Sequence, residues 1–120
     1  MTSFDVETDF NYHYNFLYIF EQLIDNSIRF IDNNQTPEIN ISYEEDDRCY
    51  YFMLTNNTPV IEEEFYEIIF VLFQRIHTEE EISGLGIGLA ISKQMVEQNE
   101  GNMWVEEENN RNKFVFTVPK

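Results

Sequence analysis

Apolar residues recur at steps of three and four along the first third of the chain, which is the spacing of one face of an α-helix. The pattern predicts a helix over residues 12–31, because a polar cluster at residues 32–34 and then Pro37 interrupt it. The apolar positions that define this predicted stripe are Leu17, Phe20, Ile24, Ile28 and Ile31.

Strict alternation of apolar and polar positions replaces the helical period after Pro37. Residues 39–43 alternate and residues 49–54 are rich in β-forming aromatics, so they predict a hairpin with an acidic turn between them. Residues 103–107 and 113–118 predict a second hairpin at the end of the chain, with an asparagine-rich turn.

Two further helices are predicted between the hairpins, over residues 62–73 and from the glycine-rich segment at 84–88 through residue 99. A short strand is also expected near residues 4–7. The order α, β, β, α, α, β, β predicts an α+β two-layer sandwich, with a mixed, mainly antiparallel sheet covered on one face by about three helices. No linker-like composition interrupts it, so we expect one domain over residues 1–120.

Charge narrows the range of partners. The chain of 120 residues has 23 acidic and 7 basic side chains and a formal net charge of −16. Nucleic-acid binding and binding to an anionic membrane are therefore not expected, because phosphate contacts need Lys and Arg. We see no signal peptide and no apolar stretch of about 20 residues, so the expected location is cytoplasmic.

Two polar features of the sequence are candidates for a phosphate-binding site. Gln22, Asn26 and Arg29 share one face of the first predicted helix, where Asn26 could lie near a metal-bound phosphate and Arg29 could contact phosphate oxygens. Glycines at alternate positions precede another helix, where a backbone can approach a phosphate closely. Taken singly, a solvated helix face and a tight turn explain these two patterns as well. The glycines are Gly84, Gly86 and Gly88.

Taken together and in order, four segments resemble the catalytic domains of histidine kinases. Residues 23–30 resemble the N-box, residues 70–77 the F-box and lid entry, and residues 84–91 the G2-box, and residues 96–106 continue the match. The chain is thus similar to the ATPase superfamily of histidine kinases, gyrase B, Hsp90 chaperones and MutL (GHKL), whose shared architecture is the Bergerat fold.

The resemblance implies a role for each matching residue. Asn26 takes the place of the magnesium-coordinating asparagine and Arg29 that of the basic residue at the phosphates. The three glycines take the places that wrap the phosphate tail. By the same resemblance, the lid residues are Phe70, Phe73 and Arg75.

The resemblance fails at the G1-box, where the family has Asp-x-Gly-x-Gly. Asn56 replaces the aspartate that accepts a hydrogen bond from adenine, and Thr58 and Val60 replace the glycines. An amide lacks the carboxylate charge, and a branched residue adopts glycine-type backbone angles poorly. Gln22 stands where ATP-hydrolysing relatives have a general-base glutamate, and an amide cannot be a base. ATP and Mg²⁺ binding is therefore expected to be weak or absent.

Three functions stay open at this point. The first is a degenerate ATPase domain that binds and regulates a protein partner, namely a histidine kinase, a response-signalling protein or a transcription protein, with weak or no ATP turnover. The second is a competent Mg-ATP-binding kinase domain that phosphorylates a partner in trans. The third is an acidic decoy that mimics DNA and blocks a host protein. The absence of a phospho-acceptor helical domain from this sequence favours the first.

Overall fold

A computed structural model describes residues 6–71 and 88–120 of the chain, and side chains from residue 15 onward. The described elements follow one another as α1 (Val6–Arg29), β1 (Ile39–Glu45), β2 (Cys49–Asn56), two single-turn 3-10 helices (Glu63–Phe65 and Ile68–Phe70), α2 (Gly88–Gln98), β3 (Met103–Glu108) and β4 (Arg111–Pro119).

The four strands form one sheet in the order β1-β2-β4-β3, and every described pairing is antiparallel. Side chains on the helix-facing side align across the strands, since Ile41 pairs with Leu54, Leu54 with Phe114 and Phe114 with Val105. Helices cover this side of the sheet, so the predicted α+β sandwich and both predicted hairpins are confirmed.

The core lies between α1, α2 and the sheet. Ile19 and Leu23 of α1 are buried with Leu89 and Val96 of α2. Aromatic rings continue this core, since the ring of Phe16 meets that of Phe52 edge-on at 4.8 Å between centroids. Burying each such side chain contributes about 2 kcal/mol, so packing rather than helix propensity holds α1 in place.

The apolar stripe predicted for α1 is only partly correct. Leu17 and Ile28 are 54% and 55% exposed, whereas Ile19 and Leu23 are buried. The buried side of α1 lies about 100° around the helix from the predicted stripe. This side includes Ser27 and Asn26, which are polar and therefore do not contribute to an apolar period.

Two other predicted elements differ from the structure. The segment near residues 4–7 was predicted as a strand, but Val6 already begins α1, and residues 1–5 lie outside the described part. Within residues 62–71, two 3-10 turns replace the predicted α-helix. An α-helix here would place Glu63 and Glu67 one turn apart, and like charges at that spacing disfavour a helix. Next to them, Glu62 raises the pKa of Glu64 through a hydrogen bond and through its charge.

The described non-glycine residues with a positive φ lie in the connections between helices and strands. Asn109 and Asn110 both have positive φ and form the two-residue turn between β3 and β4. At the end of α2 the left-handed residue is Glu100, with a φ of 65°, and not Gly101. The N–H of Gly101 donates to the carbonyl of Val96 at 2.9 Å, which closes the end of the helix as a Schellman motif.

Gly101 is needed because of close packing and not because of its backbone angle. A Cβ at this position would collide with the backbone carbonyl oxygen of Thr117. We expect Gly101→Ala to lower the free energy of unfolding by about 1–3 kcal/mol, since neither backbone can yield easily. Chemical denaturation measures this, and Gln98→Ala at the exposed end of α2 is the control. Equal midpoints for the two variants would contradict the described packing.

Candidate functional site

The start of α2 packs directly on α1. A Cβ on Gly88 would meet the side-chain oxygen of Gln22, so Gly88 lets the Gln22 amide lie directly against the start of α2. The backbone carbonyl of Gly88 accepts a hydrogen bond of 2.8 Å from the hydroxyl of Ser92. The structure therefore brings together two of the features singled out in the sequence, the polar face of α1 and the last of the three glycines.

Asn26 lies one turn beyond Gln22 on α1. Asn26 is only 4% exposed, and neither its amide nitrogen nor its amide oxygen has a hydrogen-bond partner among the residues that the structure describes. Burying an unpaired amide costs about 1–3 kcal/mol, so buried amides are nearly always paired. A ligand bound here would supply the missing hydrogen bonds, and the amide oxygen is of the donor type that Mg²⁺ prefers.

Asn56, at the end of β2, lies in a buried hydrogen-bond network. Its amide nitrogen donates to the hydroxyl oxygen of Ser27 at 2.9 Å, and that hydroxyl donates to the carbonyl of Leu23 at 2.8 Å. Its amide oxygen accepts a hydrogen bond of 2.8 Å from the hydroxyl of Thr58. Asn56 is 2% exposed, so its amide groups are committed to protein partners on both sides.

Asn112 of β4 completes this network and pairs with Asn56 in the sheet register. Its amide nitrogen donates to the hydroxyl of Thr58 and to the carbonyl of Pro59, both at 2.9 Å. Its amide oxygen accepts a hydrogen bond of 2.8 Å from the backbone N–H of Ile61. The segment that corresponds to the G1-box is thereby tied to the sheet along most of its length.

The remaining predicted site residues are not all drawn toward Asn26. Arg29 is exposed and forms a salt bridge of 3.1 Å with Asp25. Phe70 is buried in the core, where its ring meets that of Phe114 edge-on and Lys93 lies 5.1 Å from its centre. Four predicted residues lie outside the described part of the chain, namely Phe73, Arg75, Gly84 and Gly86.

Sequence reasoning did not identify Ser27 and Asn112 as members of this cluster. The strand period contained the signal, because Asn56 and Asn112 each lie two residues from a core position, at Leu54 and Phe114. An asparagine at a core-facing position must find partners, so two of them at one level of the sheet indicate a buried polar cluster.

The described residues set two limits on what this part of the chain can bind or span. Residues 6–71 and 88–120 contain no cluster of three His, Cys, Asp or Glu side chains that could hold a metal ion. A metal ion at Asn26 would therefore take most of its ligands from a bound anion or from water, as Mg²⁺ commonly does with phosphates. In these same ranges, no helix has the length and apolar character needed to cross a bilayer.

Removing the Asn112 amide tests the network. We expect Asn112→Ala to lower the free energy of unfolding by about 2 kcal/mol or more, because buried groups of Thr58, Pro59 and Ile61 lose their partner. Denaturant titration measures the loss, with Asn34→Ala in an exposed turn as the matched control. An Asn112→Ala variant as stable as that control would show that the amide is dispensable.

Known proteins share this sequence pattern. A profile of the family described as histidine kinase-, DNA gyrase B-, and HSP90-like ATPase matches residues 15–120. The phytochrome-like protein Cph1 of Synechocystis sp. is 36% identical over 102 residues, which is 84% of this chain and 14% of that protein. The methanogenesis regulatory histidine kinase FilI of Methanothrix harundinacea is 33% identical over 98 residues, or 81% of this chain and 11% of FilI. The chain thus spans a small part of these relatives.

Solved structures agree with the sequence comparison. The nucleotide-free catalytic domain of histidine kinase ThkA superposes with a TM-score of 0.72 at 28% identity, covering 88% of this chain and 66% of that one. ThkA in complex with the response regulator TrrA gives a TM-score of 0.64 at 26% identity, covering 85% of this chain and 27% of that one. Because sequence and fold agree over most of its length, the chain belongs to the histidine kinase-, DNA gyrase B- and HSP90-like ATPase family.

Proposed function

We propose that this chain regulates a protein partner of a signalling or transcription pathway and turns over ATP weakly or not at all. The observation that carries the proposal is the engagement of Asn56. In the family that the chain resembles, a carboxylate at this position accepts a hydrogen bond from adenine. Here the amide oxygen of Asn56 accepts a hydrogen bond from Thr58, and its amide nitrogen donates one to Ser27. A base would have to break these buried bonds before it could pair with Asn56.

The loop beyond Asn56 supports the same proposal. Thr58 and Pro59 occupy positions where the family pattern has glycine or a variable residue, and Asn112 holds both. Opening this loop for a base would expose or orphan several buried polar groups, each at about 1–3 kcal/mol. Such a cost reduces nucleotide affinity by one or more powers of ten.

The position on α1 at which ATP-hydrolysing members of the family carry a general-base glutamate is Gln22 in this chain. Gln22 occupies the face next to α2, and an amide cannot take a proton from water. A protein-binding role has a precedent among the structural relatives, since ThkA is found in complex with a response regulator. The proposed partner class is accordingly a histidine kinase, a response-signalling protein or a transcription protein.

A competent kinase domain acting in trans is the second candidate, and the orphaned amide of Asn26 favours it. In that case Asn26 would supply an oxygen to Mg²⁺, and the bound Mg²⁺ would neutralise charge on the transferred phosphate. The residues present fit a metal-phosphate group better than they fit a base, because Asn26 lacks partners whereas Asn56 has them.

Calorimetric titration with Mg-ATP separates the two candidates. For the regulator we expect binding no tighter than about millimolar, and Asn56→Asp should tighten it by about tenfold because it restores the charged acceptor. Asn26→Ala should abolish any magnesium-dependent part of the binding. Micromolar, magnesium-dependent binding by the unmodified chain would favour the trans kinase.

Capture of partners from the source cell tests the part of the proposal that concerns protein binding. We expect cross-linking to the purified chain to recover a histidine kinase, a response-signalling protein or a transcription protein, together with negligible phosphate release from ATP. Steady ATP turnover without any such partner would contradict the proposal. Capture should be equal for the unmodified chain and Asn26→Ala if nucleotide plays no part.

A further inference from the structure

Of the described residues, Asn26 is the one whose buried side-chain amide has no hydrogen-bond partner at either atom. The one other unpartnered buried side-chain atom in this part of the chain is a guanidinium nitrogen of Arg111, and the second terminal nitrogen of that group pairs with Glu38. An unpaired buried amide lowers stability. A ligand that pairs with Asn26 therefore removes a cost that no other described side chain carries in full.

Groups that suit a phosphate lie within one helical turn of Asn26 along α1. Gln22, one turn before it, touches Gly88 at the start of α2. Because α2 has 11 residues, its first N–H groups form the positive end of a helix dipole. Arg29, three residues after Asn26, forms a salt bridge with Asp25 in which both side chains are about half exposed. Such an exposed ion pair contributes little, so Arg29 can exchange Asp25 for a phosphate oxygen.

The hydrogen bonds around Asn56 have a direction that backbone groups fix at both ends. At one end the carbonyl of Leu23 can only accept, so the hydroxyl of Ser27 donates to it and accepts a hydrogen bond from the amide nitrogen of Asn56. At the other end the backbone N–H of Thr58 can only donate, and it lies 3.3 Å from the amide oxygen of Asn56. Turning the amide over would bring two donors together, so its oxygen stays on the side of Thr58.

Asn112 saturates the amide oxygen of Asn56. The N–H of Ile61 donates to the amide oxygen of Asn112, so the amide nitrogen of Asn112 faces Thr58 and Pro59. This nitrogen also lies 3.5 Å from the amide oxygen of Asn56, which already accepts from the hydroxyl and the N–H of Thr58. An amide oxygen has two lone pairs. It therefore has no capacity left for the exocyclic amino group of adenine, which is a donor.

The charge of the chain makes a metal ion necessary for any phosphate ligand. A net charge of −16 repels a bare triphosphate, which is itself strongly anionic. Mg²⁺ brings positive charge with it, and it commonly binds through one or two protein oxygens together with phosphate oxygens and water. The amide oxygen of Asn26 fits that requirement, since the described residues contain no cluster of three His, Cys, Asp or Glu side chains that would hold the ion without a phosphate.

We propose that this site binds the magnesium-bound triphosphate group of its ligand and does not discriminate between nucleobases. The ligand class is a triphosphate, either inorganic or carried by a nucleoside of any base. Asn26 holds the metal ion, while Arg29 and the start of α2 hold phosphate oxygens. The base adds no selectivity because Asn56 has no acceptor to offer. This inference rests on the proposed function, in which the adenine position is closed, and it names the ligand that the same site retains.

A ligand series on the unmodified full chain tests base selectivity directly. Mg-ATP, Mg-GTP, Mg-UTP and inorganic magnesium triphosphate are compared by calorimetry at one free Mg²⁺ concentration. We expect the three nucleotides to bind within about threefold of one another, whereas a site that reads adenine would favour ATP by about tenfold or more. Equal binding of inorganic triphosphate means that the phosphate group is the whole ligand. Weaker binding of the inorganic ligand alone means that the ribose adds a contact, and the absence of base selectivity stands in both cases.

Variants connect the binding to individual residues. Asn26→Ala should weaken all four ligands by about tenfold or more, while Asn34→Ala in an exposed turn is the matched control for Mg²⁺ held by the acidic surface. Asn56→Asp should tighten ATP alone by about tenfold, because it places an acceptor where the amide nitrogen now lies. A tenfold preference of the unmodified chain for one base, unchanged binding by Asn26→Ala, or no binding of any ligand at about 10 mM would overturn the proposal. The series on the unmodified chain decides the question even if Asn26→Ala does not fold.

Failure of this proposal and failure of the proposed function give different results. If no triphosphate binds and the chain still captures a signalling or transcription protein, the ligand proposal fails and the regulatory function stands. If the three nucleotides bind equally and ATP is also hydrolysed steadily, the lack of base selectivity stands and the regulator proposal fails.

Discussion

The pairing of Asn56 with Asn112 inside the sheet is the constraint on which the site depends. The two residues are neighbours in the β2–β4 register and are both buried, so every polar atom they carry needs a partner. Ser27 on α1 and the segment from Thr58 to Ile61 supply those partners. One network therefore fixes the position of α1 over the sheet and the path of the loop that follows β2.

Asn26 and Asn56 both carry a side-chain amide, but the two amides differ in their hydrogen bonding. Both amides are buried, yet among the described residues Asn26 has no hydrogen-bond partner for its amide, whereas Asn56 has partners for both of its amide atoms. A buried amide without partners is tolerated where a ligand repays the desolvation, whereas one with partners resists a ligand. If the proposed function holds, this contrast corresponds to a metal-phosphate side that is better preserved than the base side.

Sequence patterns predicted the strands more accurately than the helices. Alternation places Ile41, Leu54 and Phe114 on the core side without knowledge of the fold, because the strand period is fixed at two. The α1 stripe was predicted about 100° away from the buried face, because Asn26 and Ser27 are polar and yet buried. Resemblance identified Asn26 and Asn56, but the partners of Asn56 depend on register and on side-chain direction, which the sequence alone does not fix.

The exposed part of the predicted stripe has a physical meaning of its own. Leu17 and Ile28 keep the apolar period of α1 although the core does not cover them, and Ile41 and Tyr43 keep the alternation of β1 beyond the helical layer. Single exposed apolar residues need no explanation, but residues that keep the period of their element show which side of that element the core leaves uncovered.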